Sequence, residues 1–191
     1  MVICLIRHGQ TDWNNKKLIQ GHTDNQLNVV GLQQATLTAK YLVNNTYKWD
    51  MLVSSPLTRA KQTGKIIHKE LKLNNEILLK AGLMERDFGE AEGKEISTWW
   101  PKVKKGEVSG CETDISIQER SMSEINNLLK EFPDKNILVT AHSQSIKAIL
   151  SSIDPDKVTF NTKLDNACIS LIEYEDSKWS ILAYNISKHM S

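Results

Sequence analysis

The segment Val2-Ile3-Cys4-Leu5-Ile6-Arg7-His8-Gly9 opens the chain and decides its fold. Its first five residues form an uninterrupted, largely β-branched apolar run, which is typical of a strand buried on both faces. Arg7 and His8 end this strand and Gly9 permits a tight turn, so the cation and the imidazole should lie at the carboxyl end of the strand, where open α/β sheets bind ligands. The pair suits a phosphorylated ligand, because a guanidinium group binds phosphate oxygens bidentately and a neutral imidazole attacks phosphorus or carries a proton. Taken alone, the motif also fits a surface Arg-His pair.

The composition predicts a single domain and gives no electrostatic reason to expect nucleic acid or a membrane as a partner. The chain has 191 residues, of which 40% are hydrophobic and only 4 are proline. Such a chain can bury one sizeable core, so we expect residues 1–191 to form one domain. The 24 Lys and Arg residues nearly balance the 23 Asp and Glu residues, which leaves a net charge of +1. Any site for an anion must therefore be local.

The amino terminus and the cysteines predict a cytoplasmic protein. The apolar run after Met1 is too short for a signal peptide, and no later run approaches membrane-spanning length. Cys4, Cys111 and Cys168 lie far apart without a Cys-x-x-Cys spacing, which fits a reducing compartment and no structural metal. Cys4 and Cys168 occur in apolar strand segments, where we expect small buried side chains.

Apolar periodicity predicts strands that alternate with helices along most of the chain. The predicted strands span residues 2–6, 51–53, 76–79, 136–140, 167–174 and 179–184, and the predicted helices span residues 32–43, 56–71, 96–105, 117–132 and 143–153. Pro101 should break the third helix early, and Asp114 or Ser116 should cap the fourth. This order indicates a three-layer α/β/α sandwich with a mostly parallel central sheet and an antiparallel hairpin at one edge.

Several polar residues follow the predicted strands and are expected to converge. Arg7 and His8 end the first strand, Arg59 lies just past the second, Glu85 follows the third, and His142 ends the fourth. The carboxyl ends of parallel strands share one side of a sheet, so these residues should meet in one crevice. Two arginines, two histidines and one acid suit phosphoryl transfer without a metal, because positioned cations stabilise the charge on the transferred group.

Longer motifs extend this interpretation to a family. In chain order, they are Leu5-Ile6-Arg7-His8-Gly9-Gln10-Thr11, Gln20-Gly21, Ser54-Ser55-Pro56-Leu57-Thr58-Arg59-Ala60, Met84-Glu85-Arg86-Asp87-Phe88-Gly89 and Val139-Thr140-Ala141-His142. Together they resemble the motifs of the histidine phosphatase superfamily, also called phosphoglycerate mutase-like. The resemblance implies a three-layer α/β fold in which the histidine of the first motif is transiently phosphorylated, and it implies no cofactor.

The resemblance also assigns roles to individual residues. It implies that His8 is the nucleophile, that Arg7, Arg59 and His142 complete the phosphate pocket, and that Glu85 is the proton donor. Asn14 would add a phosphate contact, and Gln20, Gly21 and Ser143 are further candidates for binding substrate or phosphate. The helix that begins near Ser143 should also point backbone N–H groups at the phosphate. Glu90 and Glu92 lie in the same loop as Glu85 and are alternatives to it as the proton donor.

The resemblance further implies a small cap over the site at about residues 93–112. Family mutases carry a longer insertion here, so the short segment favours a phosphatase that hydrolyses a small phosphorylated metabolite. A cofactor-dependent phosphoglycerate mutase and a non-catalytic relative that binds phosphometabolites are the alternatives. The oligomeric state, monomer or homodimer, stays open.

The sequence disfavours phosphatases of other mechanisms. Cysteine-dependent phosphatases need a Cys-x5-Arg motif, and none of the three cysteines has arginine at that offset. Ser143 and Gln144 stand where the family commonly has glycine after the second histidine, so we expect these side chains to alter specificity.

Overall fold

The computed structural model describes residues 1–190, and within them six strands form one mixed sheet. The strand order is β3-β2-β4-β1-β5-β6, in which β3, β2, β4 and β1 are parallel to one another, whereas β5 runs antiparallel to both β1 and β6. The strands are β1 (Val2–Arg7), β2 (Met51–Ser54), β3 (Leu78–Leu79), β4 (Ile137–Ala141), β5 (Ile169–Glu175) and β6 (Lys178–Ile186). The predicted mixed sheet and its edge hairpin are confirmed.

Helices cover both faces of the sheet. They are α1 (Asp12–Asn15), α2 (Val29–Val43), α3 (Thr58–Glu70), α4 (Ile96–Lys105), α5 (Asp114–Glu131) and α6 (Ser143–Ile153). Alternate residues of β1 enter two different cores: Ile3 and Leu5 pack in the core with α5 and α6, whereas Cys4 and Ile6 pack in the core with α2 and α3. This double burial explains why the opening strand is apolar at every position. No helix in residues 1–190 is long and apolar enough to cross a membrane.

Three helix details differ from the sequence prediction. The helix predicted from Pro56 begins at Thr58, because Pro56 and Leu57 remain in the turn after β2. Pro101 does not break α4, since the missing N–H removes only one helical hydrogen bond while Trp99, Trp100 and Val103 anchor the helix in an apolar cluster. The cap of α5 is Thr113, whose hydroxyl accepts a hydrogen bond of 3.1 Å from the backbone N–H of Ser116.

The register of the sheet brings the motif residues to one edge. Arg7 pairs with Ala141, and the backbone N–H of His8 donates to the Ala141 carbonyl at 3.0 Å. Gly9 is needed for close packing, because a Cβ atom there would collide with the carbonyl oxygen of Gly31 at the start of α2. The end of β1 thus packs directly on the helix layer and lies beside the end of β4.

Candidate active site

A cleft of about 210 Å³ lies at the carboxyl ends of β1 and β4. Six of the nine residues that the sequence marked as site candidates line it: Arg7, His8, Asn14, Gln20, Glu85 and Ser143. The other three, Arg59, His142 and Gly21, are buried outside this lining: the His142 ring packs against that of His8, and Arg59 donates a hydrogen bond to the Gly21 carbonyl. Apolar side chains of Ile19, Phe88, Ile96 and Trp100 form the opposite wall.

Two buried histidines face each other at the base of the cleft. The rings of His8 and His142 lie 5.2 Å apart between centroids and are tilted by 58°. His8 Nδ1 donates a hydrogen bond of 2.7 Å to the carbonyl of its neighbour Gly9, which leaves the lone pair of the neutral ring on Nε2. His142 Nε2 lies 2.7 Å from the hydroxyl oxygen of Ser55. The position of His8 and its fixed tautomer suit a nucleophile.

Burial and nearby cations keep both histidines neutral. Burial lowers the pKa of His8 well below its usual value, and the positive charges of Arg59 and Arg7 lower it further. Burial likewise lowers the pKa of His142, with Arg59, His8 and Arg7 adding to the effect. The imidazole of His8 therefore carries its free lone pair at neutral pH.

Arg7 and Arg59 place positive charge beside these histidines. Arg59 is fully buried at the start of α3, and its guanidinium donates to the carbonyls of Gly21 at 2.7 Å and Thr23 at 3.0 Å. Arg7 donates to the Leu164 carbonyl at 2.6 Å. Burial lowers the pKa of Arg59 to about 10, so the group is still charged at neutral pH. Neither arginine forms an ion pair with a carboxylate in the described part of the chain, so their charge is left for a ligand.

The loop around Gly21 holds Arg59 in place. Gly21 supplies a carbonyl acceptor to this arginine, and a Cβ atom at Gly21 would collide with Glu92. Glu92 accepts hydrogen bonds from the backbone N–H groups of His22 at 2.7 Å and Thr23 at 2.8 Å, which ties the loop to the 3₁₀ turn at residues 89–91. Gly21 therefore orients a cation and lies outside the cleft lining.

Glu85 is the acidic residue that lines the cleft. Its Oε1 atom accepts hydrogen bonds from the backbone N–H groups of Arg86 at 3.0 Å, Gln144 at 2.9 Å and Ser145 at 3.3 Å. The first turn of α6 therefore binds this carboxylate, and the prediction that these N–H groups point at a phosphate is wrong for Gln144 and Ser145. Oε2 makes no hydrogen bond within residues 1–190.

The two alternatives to Glu85 lie elsewhere. Glu90 is exposed on the 3₁₀ turn, and Glu92 is occupied by the loop at residues 22–23. Neither lines the cleft. The geometry therefore favours Glu85 over both neighbours as the acid closest to a bound ligand.

Asn14 and Gln20 both turn amide groups toward the cleft. The Oδ1 atom of Asn14 accepts from the backbone N–H of Thr11 and from Asn166 Nδ2, each at 3.1 Å, so its own amide nitrogen is available as a donor. Gln20 Oε1 accepts from the Thr11 hydroxyl at 2.7 Å. The Nε2 atom of Gln20 is buried and has no partner in the described chain.

Several buried polar nitrogens around this one cleft have no hydrogen-bond partner within residues 1–190. They are Arg7 Nε, Gln20 Nε2, Arg59 Nε and His142 Nδ1. Buried donors normally have partners, because an unpaired one costs about 1–3 kcal/mol. Two of these nitrogens belong to Arg7 and Arg59, which form no ion pair in the described residues. Such a cluster of free donors and positive charge is the arrangement expected for an anion site. The described residues contain no group of three or more His, Cys, Asp or Glu side chains placed to hold a metal ion.

Comparison with known proteins identifies the family. A sequence model of the histidine phosphatase superfamily (branch 1) matches residues 3–187. The chain belongs to the histidine phosphatase superfamily. This is the family that the sequence motifs resembled, so that prediction is confirmed.

Individual relatives of this histidine phosphatase cover nearly all of the chain. It is 38% identical over 190 residues to the uncharacterized phosphatase PhoE of Bacillus subtilis (strain 168), and the alignment covers 99% of this chain and 96% of the relative. It is 30% identical over 201 residues to a metal-independent phosphoserine phosphatase of Arabidopsis thaliana, covering 99% of this chain and 83% of the relative. A crystal structure of a phosphoserine phosphatase mutant from Entamoeba histolytica in complex with phosphoserine superposes with a TM-score of 0.87 at 26% identity, over 100% and 99% of the two chains. The protein is a phosphatase of this superfamily.

Two side chains of the histidine phosphatase site, Ser55 and Asn166, were not predicted to have a role in it. Ser55 contacts His142, and Asn166 Nδ2 donates both to the His8 carbonyl at 3.3 Å and to Asn14 Oδ1. Gln144, which the sequence marked as a residue that alters specificity, lines the cleft beside Ser143. Ser55 lies within the motif that contains Arg59, and this position in the motif could have indicated that Ser55 belongs to the site. Asn166 precedes β5 in an irregular segment that carries no local signal.

The two buried histidines should make this histidine phosphatase sensitive to mild acid. In the unfolded chain each binds a proton near pH 6.5, whereas the lowered pKa values of His8 and His142 keep both neutral in the folded protein. Below pH 6.5 the unfolded state therefore binds more protons, and the free energy of unfolding should fall as the pH decreases, by up to about 1.4 kcal/mol per pH unit for each histidine. Urea unfolding between pH 7.5 and 5 measures this slope. A His142→Asn variant should show a smaller slope, and equal slopes would contradict the prediction.

Proposed function

We propose that this phosphatase hydrolyses a small phosphomonoester through a phosphohistidine on His8, with Glu85 as general acid and base and without a metal ion. The observation that carries the proposal is a set of buried nitrogen atoms around one cleft that have no hydrogen-bond partner. They lie beside two arginines, Arg7 and Arg59, that form no ion pair with a carboxylate in the described residues. A phosphoryl group supplies the oxygens and the negative charge that these donors require.

The first step forms the phosphohistidine. The lone pair on His8 Nε2 attacks phosphorus, and the bond between phosphorus and the ester oxygen breaks. Glu85, in its acid form, gives its proton to the departing oxygen, so the product leaves as an alcohol. Oε2 is the oxygen available for this proton, because Oε1 is occupied by three backbone N–H groups.

The second step releases inorganic phosphate. A water molecule attacks the phosphohistidine, and Glu85, now a carboxylate, accepts the proton of that water. The bond between nitrogen and phosphorus breaks, and its electron pair returns to His8 Nε2. The site is then in its starting state, and one ester has been hydrolysed.

Buried cations stabilise the phosphoryl group during both steps. Arg7, Arg59 and the amide of Asn14 donate to its oxygens, and Gln20 and Ser143 extend the set at the rim. His142 adds a donor through Nδ1 when the Ser55 hydroxyl donates to its Nε2 atom. These groups are fixed before substrate binds, so little reorganisation is needed as charge develops.

Metal independence predicts that a chelator leaves the activity unchanged. Phosphate release in an excess of EDTA should match the untreated rate within about twofold, because the two arginines supply the positive charge that Mg²⁺ supplies in other phosphoryl-transfer enzymes. The measurement is the initial rate after dialysis against EDTA, with and without added Mg²⁺ or Zn²⁺. Activity that returns only on adding a metal would refute a metal-free mechanism.

The architecture favours hydrolysis over phosphoryl return to a second substrate. A mutase must shield its phosphohistidine from water, whereas the cap proposed at residues 93–112 is short and lies beside a second cleft of about 470 Å³ that shares Trp100 and Gln144 with the catalytic cleft. Phosphate release from a panel of small phosphomonoesters, assayed beside 3-phosphoglycerate interconversion, tests this. Interconversion without net release would assign the protein as a mutase, and silence in both assays would favour a binding role.

We also propose a domain organisation, a location and a partner for this phosphatase. Residues 1–191 would form one domain with the cap at about residues 93–112, in a cytoplasmic protein whose partner is a small phosphorylated metabolite. Helix α4 (Ile96–Lys105) would form the main part of this cap, since Ile96 and Trp100 line the cleft.

A further inference from the structure

The second cleft adjoins the catalytic one and has no role in the chemistry described so far. It has a volume of about 470 Å³ and shares two lining residues, Trp100 and Gln144, with the cleft around His8. Val103, Val108 and Phe160 supply apolar and aromatic surface to its walls, and the charged residues of its lining are Arg86, Lys104, Lys105, Glu112 and Asp114.

The position of Glu85 indicates which part of a substrate enters this cleft. The inference rests on the proposed function, in which Glu85 protonates the leaving oxygen. Glu85 Oε1 is hydrogen-bonded to the backbone N–H groups of Arg86 and Gln144, both of which line the second cleft. Glu85 therefore lies against Gln144, which lines both clefts, so a leaving group that is protonated by Glu85 departs beside Gln144 at the junction with the second cleft.

Gln144 carries an unsatisfied acceptor at the junction of the two clefts. The residue is only 5% exposed, and its Oε1 atom has no hydrogen-bond partner within residues 1–190. Its backbone N–H is already used by Glu85, so the side chain is free to serve a ligand. A buried amide oxygen of this kind can accept a hydrogen bond from a hydroxyl or ammonium group of a ligand.

The charges around the second cleft permit a phosphorylated substrate to approach. Its two carboxylates are already paired, since Asp114 forms an ion pair with Arg86 and Glu112 accepts two hydrogen bonds from Arg120 at 2.7 and 2.8 Å. Arg86 is further held by stacking on Phe160, with the guanidinium carbon 4.9 Å from the ring centroid. Both carboxylates of the lining are therefore occupied, and neither competes with Gln144 Oε1 for a hydroxyl or ammonium group of the substrate.

We propose that the second cleft receives the leaving group and that Gln144 is a specificity-determining residue, whose Oε1 atom accepts a hydrogen bond from a hydroxyl or ammonium group of that leaving group. The preferred substrates are thus phosphomonoesters of polyols or amino alcohols, and simple alkyl phosphates are poorer ones. The side chain at position 144 sets this preference through an interaction outside the phosphate pocket.

Matched pairs of substrates test this proposal. The pairs are 2-aminoethyl phosphate with ethyl phosphate, and glycerol 1-phosphate with propyl phosphate. In the wild type, kcat/KM should favour the member with the donor by about 5- to 10-fold, which is the usual net worth of one buried hydrogen bond. In Gln144→Met, which is close in size and lacks the amide, this ratio should fall to near one. Gln33→Met, on the exposed surface of α2, should keep the wild-type ratio.

The outcomes separate this proposal from the proposed function. Hydrolysis of all four esters without a donor preference, or a preference that survives in Gln144→Met, would overturn the role of Gln144 while hydrolysis stands. Release from none of the four would count against both. Binding by the His8→Ala variant, measured by calorimetry, gives a readout without turnover: 2-aminoethyl phosphate should bind more tightly than ethyl phosphate, and Gln144→Met in that background should remove the difference. Equal binding of the two esters by His8→Ala would overturn the proposal.

Discussion

Replacing His8 with alanine is expected to lower kcat by about 10⁴-fold or more, the scale of loss seen when a catalytic nucleophile is removed. The proposed mechanism has no other group to take its place. His142 is fully buried, and its Nε2 atom is hydrogen-bonded to Ser55 and so is not free to attack phosphorus. Stopped assays of phosphate release at saturating substrate measure the loss.

The covalent intermediate gives a second, independent readout of the same change. Wild-type enzyme quenched in base after mixing with ³²P-labelled substrate should retain label that is stable to base and labile to acid, as expected for a phosphohistidine. The His8→Ala variant should retain none. Label that persists in His8→Ala would place the phosphoryl group on another residue and refute the mechanism.

Two controls show that the loss is chemical. Circular dichroism and thermal unfolding of His8→Ala should resemble those of the wild type, because the His8 side chain lines a cleft and its backbone hydrogen bonds to Ala141 and Ala167 are retained. His68→Ala, a change of the same type on α3 away from the cleft, should leave kcat unchanged. A comparable loss in His68→Ala would indicate a general effect of histidine removal.

The sequence was most informative where function depends on contiguous residues at strand ends. Arg7 and His8 follow a run that is apolar at every position, so the sequence shows both the buried strand and its carboxyl end. His142 ends another strand of the parallel sheet, and because the carboxyl ends of parallel strands lie on one side, it is expected beside His8. Arg59 lies in a long motif directly after β2. These residues reach the cleft because the order and direction of the parallel strands leave few alternatives.

Sequence reasoning failed where the structure depends on contacts between distant segments. Glu85 takes the N–H groups at the start of α6, 59 and 60 residues further along the chain, and local patterns carry no signal for that pairing. Pro101 is predicted to break α4 early, but the packing of Val103 and its aromatic neighbours outweighs the loss of one hydrogen bond. Tertiary packing overrides local preference in both cases.

Replacing Glu85 with glutamine is expected to lower kcat for alkyl phosphates by about 10²- to 10⁴-fold, because the amide cannot donate a proton to the leaving oxygen or accept one from water. The change preserves the fold, since the amide oxygen of glutamine can still accept from the backbone N–H groups of Arg86, Gln144 and Ser145 that Glu85 Oε1 now binds. Its effect should therefore be confined to proton transfer.

The choice of leaving group distinguishes the two proposed roles of Glu85. p-Nitrophenolate departs with little help from an acid, so Glu85→Gln should still form the phosphohistidine from p-nitrophenyl phosphate. Hydrolysis of the phosphohistidine should be slow, because that step needs the carboxylate of Glu85 as a base. Rapid mixing should then show a burst of nitrophenolate close to the enzyme concentration, followed by a slow steady state. Glu90→Gln, the same substitution at the exposed acid of the neighbouring turn, should behave as the wild type. If Glu90→Gln lost activity and Glu85→Gln kept it, the proton donor would be Glu90, and the cleft geometry would have to change on substrate binding to bring that side chain to the ester oxygen.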